Sequence, residues 1–157
     1  MTIYALSSGP GISGIAVIRV SGAKAKDILK LITNGKFPKE RVATLKKIIN
    51  PDTYELIDEG IVIWFKGPNS YTGEDMIELH THGSKAVVSK VQEILEKFED
   101  CRIAEPGEFT KIAFQNNKIN LLKAESIGDL IAAETELQRQ QALRIMSGAS
   151  SNKFNLL

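Results

Sequence analysis

The sequence predicts an α+β fold: a mixed or mostly antiparallel sheet with packed helices, followed by a long C-terminal helix. Three observations carry that prediction. Short β-branched runs, such as Ile15-Ala16-Val17-Ile18-Arg19-Val20, mix with amphipathic helical stretches but lack the strict alternation of a doubly wound parallel sheet. The length, 157 residues, is about one domain's worth, enough to bury a sizeable core without staples. Apolar residues make up 43% and charged residues 25%, ordinary for globular chains, which excludes disorder and collagen-like repeats.

Thr2 to Leu6 is a short apolar run, and Ser7-Ser8-Gly9-Pro10-Gly11-Ile12-Ser13-Gly14 breaks any regular element before the strand at Ile15 begins. Ser21-Gly22 ends that strand and is placed to cap a helix running to about Ile32, with Ala25, Ile28, Leu29 and Ile32 on one face and Asn34-Gly35 closing it. Val42 to Ile49 and Leu56 to Phe65 read as strands flanking a turn at Asn50-Pro51-Asp52. A polar loop, Gly67 to Asp75, leads into Met76-Ile77-Glu78-Leu79-His80-Thr81-His82, which alternates with period two. Lys85 to Phe98 is amphipathic with helical spacing, Cys101 to Ala104 is a short last strand, and Pro106-Gly107-Glu108 opens a helix that stops at Asn116-Asn117. From about Lys123 to Met146 a long helix is expected, and the Ser/Gly/Asn-rich tail from Ser147 is expected to fray.

Charge and cysteine content narrow the function. Residues 1 to 78 carry ten basic against nine acidic residues and residues 79 to 157 carry ten of each, so neither half is a polycation that would grip nucleic acid by phosphate neutralisation alone. Cys101 stands alone, which excludes an internal disulfide and a cysteine-cluster zinc site. Without a charged start leading into a long apolar run, and without a span of about 18 apolar residues, the chain is expected to be cytoplasmic and off the membrane.

Gly9-x-Gly11-x-x-Gly14 matches the dinucleotide fingerprint in letters, but its third glycine opens a strand where the mechanism requires a helix N-terminus. It is not a P-loop either, since Ile15-Ala16 follows where Lys and Ser/Thr must stand, so no GTPase activity is expected of this chain. His80 and His82 point to one strand face as a metal pair would, yet no third ligand is evident, and a polar strand face or hydrogen-bonded packing is the favoured reading. Arg19 interrupts an apolar strand and must either face solvent or aim at an anionic or carbonyl-bearing ligand; the residues alone leave both readings open. Glu78 shares its face with both histidines, so that face is wet or lined for a polar ligand, and a carboxylate there can accept two parallel N–H bonds from an aminopyrimidine-like edge. Lys118 is a single cation among amides, with solvation as the plain alternative.

Five blocks stand in an order that identifies a family: Ala16-Val17-Ile18-Arg19-Val20-Ser21-Gly22, the loop and strand Gly67 to Glu78, His82-Gly83, Ala104-Glu105-Pro106-Gly107-Glu108-Phe109-Thr110-Lys111, and Ala113 to Leu121. In register over about residues 3 to 148, they resemble the N-terminal region of the MnmE/TrmE family, the bacterial and mitochondrial tRNA modification GTPases that act at the wobble uridine. The resemblance implies a folate-binding and dimerising domain over residues 1–121, similar to the folate domain of glycine-cleavage T-protein, with residues 122–157 beginning a helical domain. It implies a tetrahydrofolate derivative as cofactor, 5-formyl- or 5,10-methylene-tetrahydrofolate, contacted by Arg19, Glu78 and Lys118, with no catalytic residue and no metal assigned. It also implies a homodimer, an FAD-dependent partner protein and indirect involvement of tRNA. Around Lys118 the chain departs from the family pattern, with Gln115, Asn117 and Asn120 where Leu, Gly or Asp, and Asp are usual. A folate-independent dimerisation or interaction module is the alternative reading.

Overall fold

The structure, a computed structural model, describes residues 1–7 and 14–119, together with positions 129, 131–133, 135, 136 and 139. Among the described residues six strands form one sheet: β1 (Thr2–Leu6), β2 (Ile15–Ser21), β3 (Thr44–Ile49), β4 (Leu56–Phe65), β5 (Met76–His82) and β6 (Cys101–Ile103), in the order β3-β4-β5-β2-β1-β6. β1 pairs with β6 in parallel, and the other neighbours are antiparallel. Three helices over residues 1–119, α1 (Ala25–Ile32), α2 (Lys85–Glu96) and α3 (Glu108–Gln115), complete among the described residues an α+β architecture with a mixed sheet, as expected.

Strand alternation divides the sheet into two unlike faces. On one, Tyr4, Ile18, Val20, Val62, Trp64, Ile77 and Leu79 pack against the apolar stripes of α1 and α2, which contribute Ile28, Leu29, Ile32, Val91, Ile94 and Leu95. Full burial of each such side chain stabilises the fold by roughly 1.5–3 kcal/mol, so this face anchors the molecule. On the other, among the described residues, Ile3, Ala5 and Met76 cluster with Phe109 of α3, with Phe65, Ala104 and Ile112 at the margin. The second cluster is small, and most of its face stays open for polar side chains.

Several boundaries moved for identifiable reasons. Ser21 does not cap α1; it is the last residue of β2, and α1 begins at Ala25 with Lys24 as N-cap and no side-chain cap bond of its own. The hydroxyl of Thr2 accepts the Lys24 N–H at 3.0 Å, so a strand distant in sequence supplies the acceptor there. The other end follows the sequence: Asn34 at φ 54° and Gly35 close the helix, with Gly35 N–H donating to Lys30 C=O and Asn34 N–H to Leu31 C=O, a Schellman pattern. β3 starts at Thr44 rather than Val42, because Arg41 takes a left-handed conformation at φ 63° and donates its N–H to Trp64 C=O. Glu40 then bridges Trp64 in parallel before β3 begins its antiparallel pairing with β4. α2 ends at Glu96 rather than Phe98, and β6 at Ile103 rather than Ala104. Ser84 caps α2, accepting from Val87 N–H.

Of the long helix expected over 123–146, the described positions 129, 131–133, 135, 136 and 139 are helical. The rest of that stretch, and the tail expected to fray from 147, lie outside the described residues. Among the described residues, no helix is long and apolar enough to cross a membrane.

Candidate functional site

The register of the central strands builds the site. Glu78 on β5 stands opposite Arg19 on β2 and Ile63 on β4, so all three share the open face. Arg19 donates from Nε to Glu78 Oε2 at 3.0 Å, and His80 Nε2 meets Glu78 Oε1 at 3.0 Å. The Glu78 side chain is 16% exposed, so most of its hydration is replaced by these two partners. Two oxygens offer about four lone-pair positions, which leaves acceptor capacity on both for a further donor. Arg19 also lies 5.9 Å from the centre of the Tyr71 ring, over a face that attracts cations.

Beside Glu78 opens a cleft of about 610 Å³, within the usual range for small-molecule sites. Glu78 and Met76 reach it from β5, Phe65 from the end of β4, Asn69, Ser70 and Tyr71 from the loop, Arg41 from the turn before β3, and Lys118 from the turn after α3. Two of the three residues singled out in the sequence therefore line one cavity, and the third, Arg19, is bonded to its carboxylate and packed on its aromatic wall.

The loop 67–75 is held as a wall. Gly67 N–H donates to Asp75 Oδ1 at 2.9 Å across its base. The fully buried hydroxyls of Ser21 and Thr72 bond at 2.7 Å, and Ser21 also donates to Glu74. Asn116 Nδ2 donates to Thr72 C=O at 2.7 Å, and the Tyr71 and Thr110 hydroxyls lie 3.2 Å apart. β2, α3 and the segment after α3 thus all fasten it. Gly73 permits the last of these contacts: at φ +82°, a Cβ there would sit 3.0 Å from Asn116 Cβ and 3.2 Å from Lys118 Cγ. Lys118 N–H donates to Ala113 C=O while Asn117 takes φ 56°, a turn that ends α3 and carries Lys118 to the cleft.

The two histidines separate. His80 belongs to the Glu78 cluster, whereas His82 Nδ1 and backbone N–H both engage Asp58, at 2.8 Å each. Burial would raise the Asp58 carboxyl, but the His82 bonds outweigh it and hold the group below the usual carboxylate range. Cys101 is buried, which pushes its thiol up to about 11 and leaves it a packing residue. Gly9 and Gly11 lie outside the described residues; Gly14 directly precedes β2, so the third glycine of that motif opens a strand as expected.

Sequence reasoning missed Arg41 and Phe65. Arg41 sits in a turn whose residues show no periodicity, and Phe65 looked like ordinary strand apolarity. Only the pairing of β4 with β5, which sets Phe65 beside Met76, brings both to the cleft.

The fold and the site define an α+β domain with a charged cleft on one face of its sheet. The chain belongs to the family described as GTP-binding protein TrmE N-terminus, matched over residues 2–118. Its relatives include proteins named tRNA modification GTPase MnmE. That of Pelagibacter ubique (strain HTCC1062) is 66% identical over 157 residues, covering 100% of this chain and 35% of that protein. Those of Rickettsia typhi (strain ATCC VR-144 / Wilmington) and Zymomonas mobilis (strain ATCC 31821 / ZM4 / CP4) are each 49% identical over 154 residues, covering 98% of this chain and 35% and 36% of theirs. The chain thus corresponds to the N-terminal region of these proteins and spans about a third of their length.

Proposed function

We propose that this chain is the folate-binding, dimerising module of a tRNA wobble-uridine modification GTPase, taking 5-formyl- or 5,10-methylene-tetrahydrofolate in the cleft beside Glu78. The observation that carries the proposal is the convergence of Glu78 and Lys118, from distant segments, on one cleft of ligand size, with Arg19 bonded to Glu78 beside it. The donor set suits a reduced pterin. Glu78 can accept the amino and ring N–H groups of its pyrimidine edge, while Arg19 and Lys118 can meet its carbonyl or carboxylate oxygens. Phe65 and Tyr71 supply aromatic surface for a flat ring.

The folate would supply the carbon that becomes the methylene group on uridine C5, in concert with an FAD-dependent partner protein and with tRNA held elsewhere. The part proposed for this chain is to bind and orient, within a domain over residues 1–121 similar to the folate domain of glycine-cleavage T-protein, ahead of a helical domain beginning near residue 122. Dimerisation is supported by the part of the sheet that no described helix covers. Ile15 and Leu45 are exposed there, Val17, Ile61 and Ile63 are half-buried, and none of the five belongs to either apolar cluster.

Calorimetric titration with 5-formyltetrahydrofolate tests the assignment. Saturable binding is expected, weakened about tenfold or more by Glu78→Gln and by Arg19→Met, since a charged hydrogen bond is lost in each. Unchanged affinity in both variants would reject the site. Absence of any folate binding would favour the alternative, a folate-independent interaction module.

A further inference from the structure

Resting on the folate reading of the cleft, we infer that Arg41 is the residue that receives the acidic tail of the ligand and makes the site selective for carboxylate-bearing pteridines. Arg41 is fixed at both ends. Its backbone N–H donates to Trp64 C=O at 2.7 Å, and its guanidinium lies 5.4 Å from the centre of the Phe65 ring while Nη1 donates to Asn69 C=O at 3.0 Å. Arg41 is thereby laid along one wall of the cleft it lines.

Its charge is not matched by the wall. Among the described residues its guanidinium donates to one neutral carbonyl, and no carboxylate stands within ion-pair distance of Arg41. A guanidinium has five N–H donors in a planar fork shaped for a carboxylate, and one is used. Arg19, by contrast, already engages Glu78, and Lys118 offers a point charge without a fork.

Position separates the ends of the ligand. Glu78, mostly buried, keeps acceptor capacity on both oxygens, and the pyrimidine edge of a pterin presents two N–H groups side by side to match it. Arg41 is exposed, and a carboxylate can be held there without losing much of its hydration. A pteridine set with its ring on Glu78 therefore extends its anionic end towards the exposed fork.

The decisive comparison uses two ligands of similar shape that differ only at the glutamyl carboxylates: 5-formyltetrahydrofolate and its glutamyl bis-amide, each titrated calorimetrically into the chain, its Arg41→Gln variant and its Arg41→Lys variant. Circular dichroism and melting curves would verify that the variants fold. The unaltered chain is expected to favour the acid over the bis-amide about tenfold, a factor already discounted for the exposed position. Arg41→Gln should bind both alike, at the level of the bis-amide, and Arg41→Lys should recover part of the preference. A preference that survives in Arg41→Gln overturns the inference and leaves the folate site standing, provided Glu78→Gln still weakens both ligands. No binding of either ligand to the unaltered chain overturns the folate reading and this inference together.

Discussion

Glu78 faces two donors, the Arg19 guanidinium and the His80 ring, and the three side chains form one unit on the open face of the sheet. A second charged pair has a structural task. Arg102 on β6 binds Glu108 through both oxygens, at 2.8 and 2.6 Å, and Glu108 also accepts Glu105 N–H at 2.8 Å. The first turn of α3 is thereby tied to the sheet edge. The Arg102 bond, opposed by burial and aided by the Glu105 N–H, holds the Glu108 carboxyl below its ordinary 4.5. A carboxyl depressed in the folded state contributes stability that is complete above its ordinary value and lost as pH falls through the lowered one. Arg102 is 41% exposed, so the charged contribution is screened to about 1 kcal/mol. Thermal unfolding of the chain and its Glu108→Gln variant should differ by that amount near neutrality, and the difference should begin to shrink near pH 4.5 and close as pH falls through the lowered value. A gap that persists in acid would refute the electrostatic account.

Among the elements, the loop 67–75 carries the greatest share of the site, and its order comes from its neighbours. Ser21, Thr110 and Asn116, from β2, α3 and the segment after α3, each bond to it. Gly73 is where the loop and Lys118 come closest. Gly73→Ala should place a methyl group against Asn116 and Lys118 in a backbone conformation that alanine resists, costing about 1 kcal/mol or more in stability. Folate affinity should fall as well, because Lys118 must move. Equal affinity in calorimetry would show that Lys118 does not touch the ligand. α1 carries a different lesson: its amphipathic stripe and Asn34-Gly35 stop were plain in the sequence, whereas the acceptor for Lys24 N–H comes from Thr2, a residue no local window includes.

At the scale of the molecule, the two faces of the sheet have different fates. One is sealed by α1 and α2, while the other is covered by α3 at one end and offers Ile15, Val17, Leu45, Ile61 and Ile63 at the other. A second copy of the chain is the occupant proposed for that open area. Sedimentation at several concentrations should show self-association that the double variant Ile15→Glu, Leu45→Glu weakens at least tenfold, because each buried charge would stand unpaired in an apolar contact. Association unaffected by both changes would place the contact elsewhere.

What the sequence determined by itself is what local chemistry encodes. Residue type and apolar spacing located five of the six strands and the three described helices to within a few residues, since burial of one face demands such patterns, while Thr2–Leu6 was legible only as a short apolar run. Arg19 and Glu78 were conspicuous because a charge in an apolar strand needs a partner. That each is the other's partner was not visible, because nothing local fixes which strands pair or in what register. The tertiary structure decided that β2 lies against β5 with Arg19 opposite Glu78, that Lys118 and Arg41 reach the same cleft, and that the Thr2 hydroxyl accepts the Lys24 N–H at the start of α1. Each of these is a contact between residues far apart in the chain, specified only when the buried face of every strand is satisfied at once.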